Sequence, residues 1–279
     1  MQFTQLEMIN EMSVNQKIAE IALMLNNKKV IVAFSGGVDS SVVSLLAKHY
    51  CSKVLLVMQD GLSVGIGETD YAKKIAEILE LQLKFIEYNE FELSESYANN
   101  PSNRCYYCKQ LLHDQLEKMR IENRFDLVIN GTNASDLNGH RPGLKASKEF
   151  NSISPLVEAK LLKFEIRWIA KKYNLPVWDK PSTACLASRF QTGIKITKEG
   201  LIRVAAAEDF IKTEYQIKVL RVRDHGKLAR IEVGKDEISK LNNSLTSITN
   251  KLMELGYNKV ILDPEGYRQA TPNEGMKYG

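Results

Sequence analysis

The 279-residue chain has no apolar run long enough to span a bilayer. Its opening MQFTQLEMINEMSVNQ lacks the basic start and continuous apolar core of a secretory signal. Both absences lead to the expectation of a cytoplasmic protein with no membrane attachment. An excess of charge of one sign is missing too: 38 basic residues stand against 34 acidic ones, with no long polybasic block. That balance argues against a broad nucleic-acid surface, although it is compatible with a local anion site. Cysteine is scarce. Four in a chain of this length do not make a disulfide framework, and two of them, spaced CxxC, point to metal or redox chemistry in a reducing compartment. Two nucleotide-binding patterns are absent as well, the dinucleotide fingerprint GxGxxG and the Walker loop with its GKS or GKT ending.

What is present is SGGVDS, residues 35–40, between the apolar, β-branched run Val30, Ile31, Val32, Ala33, Phe34 and a helix-spaced set, Val42, Val43, Leu45, Leu46. The first reads as a strand buried on both faces and the second as an amphipathic helix, with Asp39 or Ser40 as its cap. A strand, a turn with paired glycines and a helix start gather backbone N–H groups and the positive dipole end around one small volume, which suits a phosphate. Ser35, Gly36, Gly37 and Ser40 are the cradle, and Asp39 is the residue to hold magnesium or orient the loop. SGGVDS resembles the PP-loop signature of enzymes that split ATP between the α and β phosphates.

The rest of the first half alternates. Ile18, Ile21, Ala22, Met24 and Leu25 predict an opening helix, Val54 to Met58 a second buried strand, 70–81 a helix, 83–86 a third strand and 125–130 a fourth. Such alternation predicts an α/β fold with a doubly wound parallel sheet whose ligands lie beyond the C-terminal strand ends. Met58, near one such end, offers backbone for an adenine edge, and Gly131, Thr132 and Asp136 follow another and are candidate ATP contacts. A helix carrying Leu161, Leu162, Phe164, Ile166, Trp168 and Ile169 ends near Asn174 and Pro176. The proline-marked WDKPSTACLASRF then reads as a connection, giving an ATP-binding domain over 1–180 and a smaller α+β domain over 181–279. In the second domain a helix over 198–212 precedes a hairpin turning at His225 and Gly226, then a helix over 237–255 and a strand over 259–262. A two-residue turn at 225–226 would put Leu220, Val222, Ala229, Ile231 and Val233 on one face and Arg221, Arg223, Arg230 and Glu232 on the other, with Arg221 opposite Arg230. Like charges across a ladder need neutralising. The expectation is a phosphate or carboxylate site, with Glu232 splaying the guanidinium groups and Arg268 contributing.

Cys51 reads as a small packed residue. Cys105 and Cys108, in ANNPSNRCYYCKQ where loop becomes helix, are compatible with a thioredoxin-type pair, half a zinc site or two iron–sulfur ligands. Cys185 and His113 would complete a Cys3His zinc set, although a lone histidine on such a helix is more often exposed.

Taken together, SGGVDS, RCYYCK, GTNASD, KPSTACLASR, RVRDHGKLARIEV and GYR run in this order across nearly the whole chain and resemble the LarE family of ATP-dependent sulfur transferases. The resemblance implies a PP-loop, adenine nucleotide α-hydrolase-like fold, ATP and Mg2+ at SGGVDS, and Cys185 as the sulfur-handling cysteine. The hairpin arginines would hold a substrate phosphate. It further implies a small mononucleotide substrate, pyridinium-3,5-biscarboxylic acid mononucleotide, whose carboxylates become thiocarboxylates in nickel-pincer nucleotide biosynthesis, and assembly as a homo-oligomer. Cys105, Cys108 and Cys185 match the branch that resembles cluster-dependent tRNA thiolases in holding a [4Fe-4S] cluster through three cysteines. The other branch lacks the CxxC pair and sacrifices the cysteine at the Cys185 position. A tRNA thiolase, an amide-forming ligase and a non-catalytic nucleotide-binding module are the rival readings; the sulfur donor is unassigned.

Overall fold

The computed structural model describes residues 9–137 and 152–268; the N-terminal expectation as it bears on residues 1–8 lies outside them. The chain folds as two compact units. One consists of the chain up to Gly61, Gly67–Tyr88 and Cys105–Thr183, the other of Leu62–Ile66, Asn89–Arg104 and the chain from Ala184 onward.

In the first unit, helix α1 (Glu11–Leu25) begins where the Asn10 side chain accepts the Ser13 N–H at 3.2 Å, and it buries Val14, Ile18, Ile21 and Leu25, one stripe of a 3.6-residue period. Strands β1 (Lys29–Ala33), β2 (Lys53–Asp60), β3 (Gln82–Glu87) and β4 (Leu127–Asn130) are all parallel, in the order β3-β2-β1-β4. Helix α2 (Val38–Tyr50) follows β1, α3 (Glu68–Ile78) precedes β3, α4 (Arg104–Glu122) precedes β4, and α5 (Lys163–Lys172) packs on α2. Val30, Ile31 and Val32 are fully buried, as are Val42 and Val43 of α2. Each such side chain contributes about 1.5–3 kcal/mol relative to exposure, so the β1–α2 junction is anchored on both sides. Because β2 and β4 flank β1 on opposite sides, the carboxyl end of β1 lies at the switch point of the sheet, where doubly wound folds bind ligands.

Three details differ from the sequence-based expectations. The cap of α2 is Gly37, with no side-chain bond, instead of Asp39 or Ser40, which lie inside the first turn. The helix expected over 70–81 stops at Ile78: Glu80 turns left-handed (φ 52°) and Leu81 N–H bonds back to Ala76 O at 3.0 Å, a Schellman-type ending. The helix expected from 161 starts at Lys163, after a separate turn at Pro155–Glu158 that left-handed Lys160 (φ 54°) breaks off.

In the second unit, α6 (Lys198–Tyr215) is capped by Thr197, whose hydroxyl accepts Gly200 N–H at 3.1 Å. Strands β5 (Leu220–Asp224) and β6 (Leu228–Val233) are antiparallel; after α7 (Leu245–Glu254), β7 (Lys259–Leu262) pairs parallel with β6. Ala207, Ile211, Leu220, Val222, Ile231, Val233, Leu241, Ile248 and Leu252 form its core. The single helix expected over 237–255 is broken, Ile238–Asn242 and α7 being separated at Asn243 and Ser244, where short polar side chains compete with helical bonding.

The hairpin needs a correction. Its turn is Gly226–Lys227 rather than His225–Gly226: Gly226 is left-handed (φ 80°), and His225 N–H bonds Leu228 O at 2.9 Å. The two faces keep their residues, but the register moves by two, so Arg221 faces Glu232 and it is Arg223 that faces Arg230. Buried Asp224 sets the turn by accepting Gly226 N–H at 2.8 Å, with Arg203 at 2.7 Å and Tyr257 Oη at 3.0 Å on its other oxygen.

The same unit draws in early segments. Ser63 O accepts Leu186 N–H at 2.8 Å, and Ser63 Oγ donates to buried Glu90. Asn100 Nδ2 donates to Gln191 O at 2.8 Å and Ile194 O at 3.1 Å.

Candidate active site

The first half of the site lies in the first unit. Gly36 is left-handed (φ 66°), and a Cβ there would stand 3.0 Å from Ala72 Cα and Cβ, so only glycine takes the turn cheaply. Ser40 Oγ donates to Gly37 O at 3.0 Å, accepts Ser35 N–H at 3.3 Å and lies 3.1 Å from Ser35 Oγ. The serines therefore brace the loop while the uncapped helix start presents its amides. Gly131, at the end of β4, abuts the same helix turn: a Cβ there would sit 2.6 Å from Ser40 N.

Asp39 and Asp136 come together with Asn133, of the same GTNASD loop, and with Lys163, which the sequence reading missed. Lys163 Nζ bonds Asp39 Oδ2 at 2.5 Å, and Asn133 Nδ2 lies 3.3 Å from Asp39 Oδ1 and 2.8 Å from Asp136 Oδ2. Lys163 is fixed by its own backbone N–H, which donates to Ser135 Oγ at 3.0 Å. Burial pushes the Asp39 carboxyl above its ordinary value, and Lys163 opposes that shift. A partly buried carboxylate paired with a single lysine ammonium fits the needs of Mg2+, which retains phosphate and water ligands and takes few from protein. Thr132 N–H is tied to Asn130 Oδ1 at 2.9 Å. Met58 follows Val57, whose carbonyl accepts Phe34 N–H at 2.8 Å, and lies buried within β2 opposite Phe85 of β3. Nothing in the local sequence flags Lys163, 124 positions from its partner.

None of the four cysteines is in a disulfide. Cys51 donates to Leu25 O at 3.5 Å, and burial pushes its thiol up to about 11, as suits a packed residue. Cys105 and Cys108 stand three apart near the start of α4, on one face; Cys105 is exposed and Cys108 half-buried. Cys185, exposed, caps the short 3-10 helix Leu186–Arg189 in the second unit. His113 is buried, not exposed, and burial lowers its imidazole to about 4, which keeps it neutral. Among the described residues, no group of three or more His, Cys, Asp or Glu side chains surrounds a common metal position.

The arginine face of the hairpin is built around acids. Glu232, buried, accepts Arg223 Nε at 2.9 Å and Arg230 Nη2 at 2.5 Å, so it joins the facing pair instead of splaying it. Asp263 lies 3.7 Å from Arg230 Nε and 3.1 Å from Arg268 Nη2, and Arg268 also pairs with Glu265. Arg221 donates to Leu220 O at 2.7 Å and lies over the Tyr267 ring. Burial, followed by the charge of Arg189, lowers the Arg221 guanidinium from its ordinary value. Arg223 Nη1 also donates to Ser188 O at 3.1 Å, tying the hairpin to the turn that follows Cys185.

A strand, the SGGVDS loop and a buried helix at the switch point of a parallel sheet define a PP-loop enzyme, and residues 29–124 match the family described as queuosine biosynthesis protein QueC. The chain is 30% identical over 266 residues to the pyridinium-3,5-bisthiocarboxylic acid mononucleotide synthase of Lactiplantibacillus plantarum, covering 94% of this chain and 95% of the relative. An uncharacterised Synechocystis protein is 35% identical over 248 residues, 88% of this chain and 92% of its own. One component of the glutamine-hydrolyzing GMP synthase of Methanococcus maripaludis is 29% identical over 174 residues, 58% of this chain and 56% of the relative. The chain belongs to the LarE family: it is an ATP-dependent sulfurtransferase of the PP-loop kind, and it uses ATP with Mg2+. Among the described residues no helix is long and apolar enough to cross a membrane.

Proposed function

We propose that this sulfurtransferase adenylates a carboxylate of pyridinium-3,5-biscarboxylic acid mononucleotide, releases pyrophosphate, and converts the acyl adenylate to a thiocarboxylate. A carboxylate resists a sulfur nucleophile because its charge repels the attacker and oxide is a poor leaving group; AMP is a good one. Ser35, Gly36, Gly37 and Ser40 would hold the departing pyrophosphate, Asp39 and Asp136 the Mg2+ beside it, and Gly131, Thr132 and the Met58 backbone the nucleoside. Lys163, the cation beside Asp39, would neutralise charge on the phosphates. Arg221, Arg223, Arg230 and Arg268, with Glu232 as spacer, would hold the phosphate of the mononucleotide, and self-association is assigned to the second unit.

The observation that carries this reading is the bond from Arg223 to Ser188 O, which joins the arginine-bearing hairpin to the turn that follows Cys185 inside one unit. For sulfur delivery, the donor chemistry of Cys105, Cys108 and Cys185 suits a [4Fe-4S] cluster: three thiols outside any disulfide, two of them on one helix face. Held by these three residues, the cluster would supply sulfide without consuming the chain. Sacrifice of Cys185 is the second reading, favoured by the exposure of its side chain. There the Cys185 thiolate would displace AMP to form a thioester, and loss of the Cα proton with cleavage of the Cβ–S bond would leave dehydroalanine.

Anaerobic turnover with ATP, sulfide and the dicarboxylate mononucleotide, followed by intact mass, tests both. An unchanged chain with thiolated product supports the cluster; a chain lighter by one hydrogen sulfide supports sacrifice. A full iron complement in Cys185→Ala protein would sink the three-ligand set. Arg221→Ala should weaken binding of the mononucleotide far more than that of ATP.

A further inference from the structure

The best-satisfied buried ion pair in the second unit has no part in the reading above. Arg189 and Glu208 have side chains only 1% and 4% exposed. They meet as a two-pronged pair, Nε to Oε1 at 2.8 Å and Nη2 to Oε2 at 3.0 Å. The remaining nitrogen, Nη1, donates to Ala184 O at 2.8 Å, Cys185 O at 3.1 Å and Ser188 Oγ at 3.0 Å. Glu208 Oε1 in turn accepts the backbone N–H of Val222, the residue of β5 between Arg221 and Arg223. Burial alone would raise the Glu208 carboxyl, but Arg189 and the Val222 N–H outweigh it, so Glu208 stays ionised.

A buried pair of this kind is a poor way to gain stability, since apolar residues of similar volume do as well or better, so the direction of its bonds is informative. Here every acceptor outside the pair lies between Ala184 and Ser188. The chain from Pro181 to Cys185 is exposed throughout, and Arg189 catches it where the exposed run ends. From there Leu186 N–H is held by Ser63 O and Ser188 N–H by Cys185 O at 2.9 Å.

We infer that Arg189, clamped by Glu208, is a positioning residue that sets the spacing between the Cys185 sulfur and the arginines of β5. The chain of bonds runs from the carbonyls of Ala184 and Cys185, through the guanidinium and carboxylate, to the backbone between Arg221 and Arg223. This rests on the reading of Cys185 as the sulfur-handling cysteine. Outside the pair the guanidinium bonds only the carbonyls of Ala184 and Cys185 and Ser188 Oγ, so its effect belongs to the sulfur-transfer step and not to adenylation, whose loop is in the other unit. Displacing a reacting group by about 1 Å costs on the order of 100-fold in rate, so a loosened clamp is felt strongly in that step.

The test uses anaerobic full-length protein with ATP, sulfide and the dicarboxylate mononucleotide. Arg189→Lys keeps the charge but cannot bind Glu208 and both carbonyls together. Its expected signature is ATP–pyrophosphate exchange within about twofold of the unaltered protein and thiocarboxylate formation lowered about 10- to 100-fold. Amide hydrogen exchange should speed up at Leu186 and Ser188 while Ile31 and Ile231 stay protected. Should this variant fail to fold, Glu208→Gln, which keeps the Val222 bond and weakens the clamp, is read in the same way. Thiocarboxylate formation at the unaltered rate, or an equal loss in both half-reactions, would overturn the inference. Cys185→Ala is run in parallel. If it transfers sulfur normally, the role of Cys185 fails and the inference with it; if it is inactive while Arg189→Lys is fully active, only the positioning role fails.

Discussion

Gly131→Ala probes the junction of β4 with the phosphate loop most directly. The added Cβ would lie 2.6 Å from Ser40 N, 2.8 Å from Asp39 C and 2.9 Å from Ser40 Cα. All three are backbone atoms in the first turn of α2, so no flexible side chain can step aside. Reaching an ordinary contact of 3.4 Å means separating the end of β4 from the loop by about 0.8 Å. Val42, Val43 and Leu46 hold α2 in a close-packed core, so that shift is resisted and costs about 1–3 kcal/mol as overpacking. Part of the strain is relieved by moving Asp39 and the loop, and a displacement near 1 Å at a reacting centre lowers rate by roughly 100-fold. The expected result is a lower denaturation midpoint together with ATP–pyrophosphate exchange reduced by one to two orders of magnitude. Gly37→Ala is the steric control: its Cβ would meet only Ser35 Oγ, at 3.4 Å, and stability should change by less than about 1 kcal/mol. Unaltered stability and full exchange activity in Gly131→Ala would refute the reasoning.

Asp39→Asn should abolish Mg2+-dependent turnover yet raise the melting temperature at pH 7. The carboxyl is held above its unfolded value of 3.8 by burial, so the ionised form opposes folding at neutral pH. That advantage should shrink as the pH falls toward 3.8; a lower melting temperature at pH 7 would contradict the assignment. His113, neutral in the fold at about 4 against 6.5 when unfolded, should cost the protein up to about 3 kcal/mol as the pH falls from 6.5 to 4. Urea titrations of His113→Gln should lack that slope, and an identical slope would assign the loss elsewhere. Glu232→Gln leaves Arg223 facing Arg230 with both largely buried, which should cost about 3–5 kcal/mol. Inorganic phosphate should stabilise that variant more than the unaltered protein, as read by thermal shift; equal shifts would count against an anion site on this face.

Local pattern carried a large part of this protein. The run from Val30 to Phe34, the paired glycines of SGGVDS and the helical spacing after them suffice for a strand, a phosphate loop and a helix, because periodicity and glycine freedom act within a few residues. The alternation that follows is enough for a parallel sheet, and the parity of the hairpin residues is enough to separate Arg221, Arg223, Arg230 and Glu232 from the apolar face. Register was not legible: whether the turn falls at His225–Gly226 or at Gly226–Lys227 depends on Asp224, which is held by Arg203 and Tyr257 from elsewhere in the unit. The partners of the site residues were not legible either. Lys163 reaches Asp39 across 124 positions, and Arg189 reaches the backbone beside Arg221 through Glu208. The sequence by itself determined which chemical groups this protein owns: a phosphate loop, three thiols besides Cys51, and an arginine face. Only the tertiary structure decided which charge meets which, because burial and pairing are set by segments that no local spacing connects.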